Sequence, residues 1–182
     1  MQTDITIAAA QADMRSGYLD GAPGIAASSA AWLMAAAVAF SASPSAAVWT
    51  LLVAGACIHP AGIVLARLLG APGQHQAGNP MARLAMEGTF WMLAGILVAY
   101  GVSLLRVEWF FPAMLLAIGG RYLTFRTIYG LVMYWPLGAT LCMAAVGLVF
   151  LRAPVAMSAL VGGLIELGFA VVMLRSARKS AA

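Results

Sequence analysis

Between about residues 24 and 174 the chain is a succession of apolar runs separated by short polar breaks. A helix needs roughly 20 consecutive apolar residues to cross the hydrocarbon of a bilayer, and on that measure the breaks mark out six helices. The first covers about residues 24–42 and stops at Ser43 and Pro44. The second covers 46–69 and has Pro60 inside it. Residues 70–80 form the most polar loop, dense in Gly, Pro, Gln and Asn, which are turn formers. A third helix follows at 81–105, a fourth begins at Trp109, and the sixth spans about 154–174. Between Trp109 and Leu151 two divisions fit. One is a helix ending near Arg126 followed by a helix kinked at Pro136; the other is a long helix reaching Tyr134 followed by a short one. Gly119 and Gly120 also permit a break, as in the broken helices of many transporters. The first division is preferred because it leaves Arg126 at an interface, where a charge is cheaper than in hydrocarbon.

These elements predict an all-α, polytopic transmembrane bundle of about six helices. Residues 1–23 form an N-terminal cytoplasmic or interfacial segment, 24–174 a single bundle, and 175–182 a basic cytoplasmic tail. Residues 4–19 read as a short surface helix capped by Asp4. The opening Met1, Gln2, Thr3, Asp4 lacks the basic region of a secretory signal. Composition agrees with the pattern. Of 182 residues, 63% are hydrophobic and 9% charged, whereas soluble domains run near 25% charged. The net charge of +4 sets orientation in such a chain and gives no reason to expect nucleic acid as a partner. With the N-terminus inside, the inner side holds Arg15, Arg67, Arg83, Arg126, Arg175, Arg178 and Lys179, and the outer side holds only Arg106 and Arg152. Both termini are therefore expected in the cytoplasm. Six helices entered from inside also permit a 3+3 inverted repeat. Pro60 and Pro136, and Glu87 and Glu166, correspond loosely between the halves, but the acids sit at different depths, so the repeat stays open.

Glu166 lies in the middle of an apolar stretch long enough to span a bilayer. An ionisable group there costs roughly 2.5–3.5 kcal/mol on insertion scales, so it normally faces the interior and has a partner. His59, Glu87 and Arg121 occupy similar surroundings. Ser158, Gly162, Glu166 and Ala170 recur every fourth residue, as do Ala113, Ala117 and Arg121. His59 belongs to a face with Gly55, Ala56, Gly62 and Ala66. Small residues mark where membrane helices approach closely, so these polar groups are expected to point at neighbouring helices. At 1.5 Å per residue, His59 and Glu166 fall about 12 Å from the inner boundary, and Arg121 and Glu87 about 7–8 Å from it. The five residues His59, Glu87, Arg121, Tyr122 and Glu166 are the candidate ligand-binding set, with Arg121 and Glu166 as energetic partners. Simpler readings stand beside this one. Glu87 follows Arg83 by four positions, the spacing of an interfacial ion pair. Arg121 and Glu166 also suit a purely structural lock, and His59 suits satisfaction of the backbone freed by Pro60.

Other chemistry is poorly supported. Cys57 and Cys142 are far apart, no Cys/His cluster exists, and no HExxH spacing or nucleophile elbow is present. No metal and no cofactor is expected, and no residue is assigned a catalytic role. The segments Ile58-His59-Pro60, Gly78-Asn79-Pro80, Glu108-Trp109-Phe110-Phe111-Pro112-Ala113-Met114, Gly119-Gly120-Arg121-Tyr122-Leu123 and Gly162-Gly163-Leu164-Ile165-Glu166 resemble an uncharacterised family, a domain of unknown function, of small six-helix bacterial membrane proteins. The resemblance covers about residues 14–174. It implies a multi-pass protein of the bacterial inner (cytoplasmic) membrane and transfers no catalytic residue. The leading expectation is a protein that binds or transports a small polar or anionic molecule. A structural or partner-binding bundle is the alternative, and an intramembrane enzyme the least favoured reading. The partners expected are the lipid bilayer, a small-molecule ligand and, from the exposed small-residue faces, a second copy in a homodimer.

Overall fold

The computed structural model describes residues 5–181, with side chains as far as Arg178. Helix α1 (Ile7–Tyr18) is followed by a single 3-10 turn (Leu19–Gly21). Six longer helices come next: α2 (Ala22–Ser41), α3 (Pro44–Leu68), α4 (Pro80–Leu105), α5 (Phe110–Tyr129), α6 (Tyr134–Phe150) and α7 (Val155–Ala181). No strand occurs among the described residues. Four stretches are long and apolar enough to cross a membrane: Ile7–Ser41, Pro44–Leu68, Pro80–Leu105 and Val155–Arg178. Tyr134–Phe150 is a shorter apolar helix.

Local chemistry sets most of the boundaries. Ser43 and Asn79 cap α3 and α4 by accepting from the backbone N–H groups of Ala46 and Met81, and a proline opens each helix. Thr6 caps α1 by accepting from the N–H of Ala9; Asp4, the cap expected from sequence, lies outside the described residues. Gly130, in the left-handed conformation, ends α5. The chain therefore divides between Tyr129 and Tyr134, close to the preferred division. Pro136 proves to be the third residue of α6 and does not kink it. In the first turn its missing N–H has no intrahelical acceptor to forgo. Gly119 and Gly120 lie within an unbroken α5.

Helix α2 packs against α3 and α7, and α5 packs against α4 and α6, while α6 meets α7. A shift of three helices turns the pairs α2–α3 and α2–α7 into α5–α6 and α5–α4. Close approach makes these pairs possible. A methyl group on Gly138 would fall 2.6 Å from the Gly119 carbonyl oxygen, and one on Gly62 would fall 3.0 Å from the Cα of Gly24. The Ser29 hydroxyl donates to the Gly163 carbonyl at 2.9 Å, tying α2 to α7.

Helix α1 is docked on protein. Gln11 and Arg15 donate to the carbonyls of Thr127 and Tyr129, each at 2.7 Å, and so satisfy acceptors that the end of α5 leaves unpaired. Asp13 accepts from the Asn79 side chain at 2.6 Å and from the Gln76 N–H at 3.0 Å. Asn79 also donates to the Ala10 carbonyl at 2.9 Å, and the Tyr18 hydroxyl meets His75 at 2.9 Å. The polar loop of residues 70–80, the end of α5 and the start of α6 thus share one end of the bundle with α1. The turn that follows is strained. Leu19 and Asp20 have φ of 48° and 59°, which non-glycine residues seldom adopt. Gly21 follows with φ 79°, and any Cβ there would collide with the Tyr134 hydroxyl.

Candidate functional site

On α7 the stripe Ser158, Gly162, Glu166 and Ala170 forms the buried face. Glu166 has no exposed surface at all. Its Oε1 accepts from the Tyr122 hydroxyl on α5 at 2.9 Å. Its Oε2 has no hydrogen-bond partner among the described residues. Ser28, buried on α2, lies close enough to act on both the phenol and the carboxyl, yet no hydrogen bond from it reaches Oε2. Three helices thus contribute to one polar spot inside an apolar core. Three further buried atoms, the Ser158 hydroxyl, the Trp32 indole N–H and the Arg121 Nε, also lack partners among the described residues.

An aromatic cluster continues from this spot towards α1. The Tyr122 and Tyr134 rings stack with centroids 6.1 Å apart, and Tyr134 stacks on Tyr129 at 5.4 Å. Phe125 sets its edge against Tyr122 and Tyr134 at 5.7 and 5.5 Å. The Tyr134 hydroxyl donates to the Asp20 carbonyl at 2.7 Å. The tyrosines therefore fill the space between Glu166 and the strained turn after α1.

The other expected members are arranged differently. Arg121 donates to Thr89 Oγ1 at 3.2 Å and to the Met92 sulfur at 2.6 Å, and its guanidinium carbon lies 5.2 Å from the Phe125 ring centroid. These are contacts with α4 and with its own helix, and no ion pair joins it to Glu166. The reason is geometric. Ala117, one turn before Arg121, faces Gly95 of α4, so the Ala113, Ala117, Arg121 stripe belongs to the α4–α5 interface. Successive residues on a helix are about 100° apart, which carries Tyr122 away from α4 and towards α7. His59 and Glu87 are both exposed, on α3 and α4. Gly62 turns inward against α2 while His59 looks out, so the small-residue face of α3 is divided. The structure brings together Tyr122 and Glu166, sets Arg121 beside them, and leaves His59 and Glu87 outside.

Ser28 escaped the sequence reading. Its only signal is the pair Ser28 and Ser29 in an otherwise apolar helix. Among the described residues no group of three His, Cys, Asp or Glu side chains is placed to hold a metal, and both cysteines are free thiols. Two concavities of about 340 and 480 Å³ lie elsewhere, one beside Thr6, Asp13 and Asn79 and the other beside Leu116, Cys142 and Met143. The site itself can do one kind of chemistry unaided: a phenol and a carboxyl, away from water, can hold and pass a proton. The profile of one family, described as a family of unknown function (DUF7010), matches residues 7–176. No curated protein and no solved structure matches the chain.

Proposed function

We propose, from the premise that the chain belongs to this family of unknown function, that it is a bacterial inner-membrane protein that binds or carries a small polar molecule, with Glu166 as its proton-exchanging centre. The observation that carries this reading is the half-satisfied carboxyl. Glu166 is wholly buried, accepts one hydrogen bond from Tyr122, and has a second oxygen with no partner. An ionised carboxylate without a countercharge is among the most expensive groups to bury, whereas a neutral acid needs only hydrogen bonds. A buried acid with spare capacity suits a proton or the polar end of a ligand. The pairing of helices under a three-helix shift supports the same reading, since inverted halves are a common frame for alternating access. The test is carbodiimide labelling in membrane vesicles, because the reagent partitions into apolar regions and attacks protonated carboxyls. Mass spectrometry should find the adduct on Glu166, with labelling declining as pH rises. A panel of amino acids, sugars and small carboxylates should contain solutes that protect it. Absence of any Glu166 adduct from pH 5 to 9 would sink the proposal.

A second reading has its own support. The hydrogen bond between Tyr122 and Glu166 joins α5 to α7, and neither concavity reaches it, which suits a structural pin. The labelling experiment separates the two, because a sealed pin stays unlabelled and unprotected.

A further inference from the structure

The two spanning helices least covered by the bundle, α3 and α4, carry outward-facing ionisable residues well inside their length, His59 and Glu87. The most apolar window of α3 is 17% buried and that of α4 11%, against 44% for the stretch that includes α2 and 39% for α7. Each packs on a different inner helix, α3 on α2 and α4 on α5. They touch through Trp49 and Tyr100, with ring centroids 5.8 Å apart, at the end away from α1. His59 and Glu87 are exposed, and neither makes a hydrogen bond or ion pair among the described residues. Arg83, one turn before Glu87, does not pair with it.

Depth makes these residues a problem for a lone bundle. At 1.5 Å per residue α4 is about 39 Å long, some 9 Å more than the hydrocarbon layer. Glu87, roughly 10 Å from Pro80, therefore lies about 6 Å inside that layer if the overhang is shared. The same count puts His59 about 10 Å inside it. Phe90 and Trp91, beside Glu87, are 68% and 79% exposed, as befits a buried membrane face. Lipid tails cover phenyl and indole rings well but offer nothing to a carboxylate or an imidazole.

We propose that a second copy of the chain covers this face in a two-fold dimer whose axis runs along the membrane normal, with His59 of each copy hydrogen-bonded to Glu87 of the other. A symmetric interface repeats every contact, so two unmatched residues per chain become two matched pairs. Imidazole donates and carboxylate accepts, and the 4 Å difference in depth estimated above is within reach of the glutamate side chain. This inference does not depend on the role assigned to Glu166.

The test uses two full-length chains with different tags, both carrying Cys57→Ala and Cys142→Ala, one with His59→Cys and one with Glu87→Cys. Co-expressed in membranes and oxidised, they should form a disulfide between differently tagged chains, at least tenfold more than either forms with itself. Native mass spectrometry of the unmodified protein in nanodiscs should show dimers. Placing a second carboxylate opposite Glu87 by His59→Glu should lower the dimer's affinity at least tenfold, and the exchange His59→Glu with Glu87→His should restore it. Monomers only, or dimers joined through other helices without the 59–87 cross-link, would overturn the proposal.

Discussion

A carboxyl group offers about four acceptor positions, and Glu166 uses one, for the Tyr122 hydroxyl. Removing that hydroxyl as Tyr122→Phe strips the acid of the one hydrogen bond it makes, at a cost of about 1–3 kcal/mol. The two residues should therefore be coupled. In detergent unfolding, Tyr122→Phe combined with Glu166→Leu should lose less stability than the sum of the single changes, by roughly 0.5–3 kcal/mol. Arg121→Leu combined with Glu166→Leu should be additive, because Arg121 is held by Thr89 and Met92. A cycle with the opposite pattern would put Arg121 back beside Glu166. Glu166 was legible in the sequence because it is the one acid in a long apolar run. Which of Arg121 and Tyr122 faces it was not. They are adjacent on one helix, both plausible partners, and only the neighbour's position decides between them.

At the level of elements, the helix boundaries were legible where a capping side chain and a proline coincide, as at Ser43–Pro44 and Asn79–Pro80. The interior breaks were harder, because a glycine pair reads equally well as a hinge or as a contact. Gly119 proves to be a contact, crossing Gly138 of α6. Gly138→Ala should therefore cost about 1–3 kcal/mol through overpacking. Gly101→Ala, where an added methyl meets nothing within 4 Å, should be neutral or stabilising by up to about 1 kcal/mol, the helix preference for Ala over Gly. Thermal unfolding of the two variants in one detergent checks the contrast; equal effects would refute the crossing. The face of α3 shows the limit of stripe reasoning. Gly62 and His59 share small-residue neighbours in sequence, but only Gly62 meets another helix within the chain.

For the whole molecule, the docking of α1 places the 70–80 loop, the end of α5 and the start of α6 at one end. The arginine distribution predicts that this end faces the cytoplasm. A cysteine introduced at Val107 in a cysteine-free background should react with an impermeant thiol reagent added outside intact cells, and one at Gln74 should not. The reverse pattern would invert the orientation. The fold class and the four long spans were legible because bilayer thickness imposes a length on a crossing helix; the two further crossings expected between Trp109 and Leu151 are helices that do not meet that length and hydropathy. The convergence of side chains was not, because hydropathy is silent on which helix stands next to which.

The docked α1 also has a consequence for the order in which the protein is made. Gln11 and Arg15 bind carbonyls 116 and 114 positions downstream, and Asn79 reaches Ala10 across 69. At roughly 5–20 residues per second, the ribosome needs on the order of 6–23 s to deliver Thr127 after Gln11. Helix α1 therefore emerges ahead of α2 to α5 and finds its seat on α5 only after these four later helices have been translated. The surface that closes this end of the bundle, though encoded ahead of α2 to α7, is among the last to be assembled.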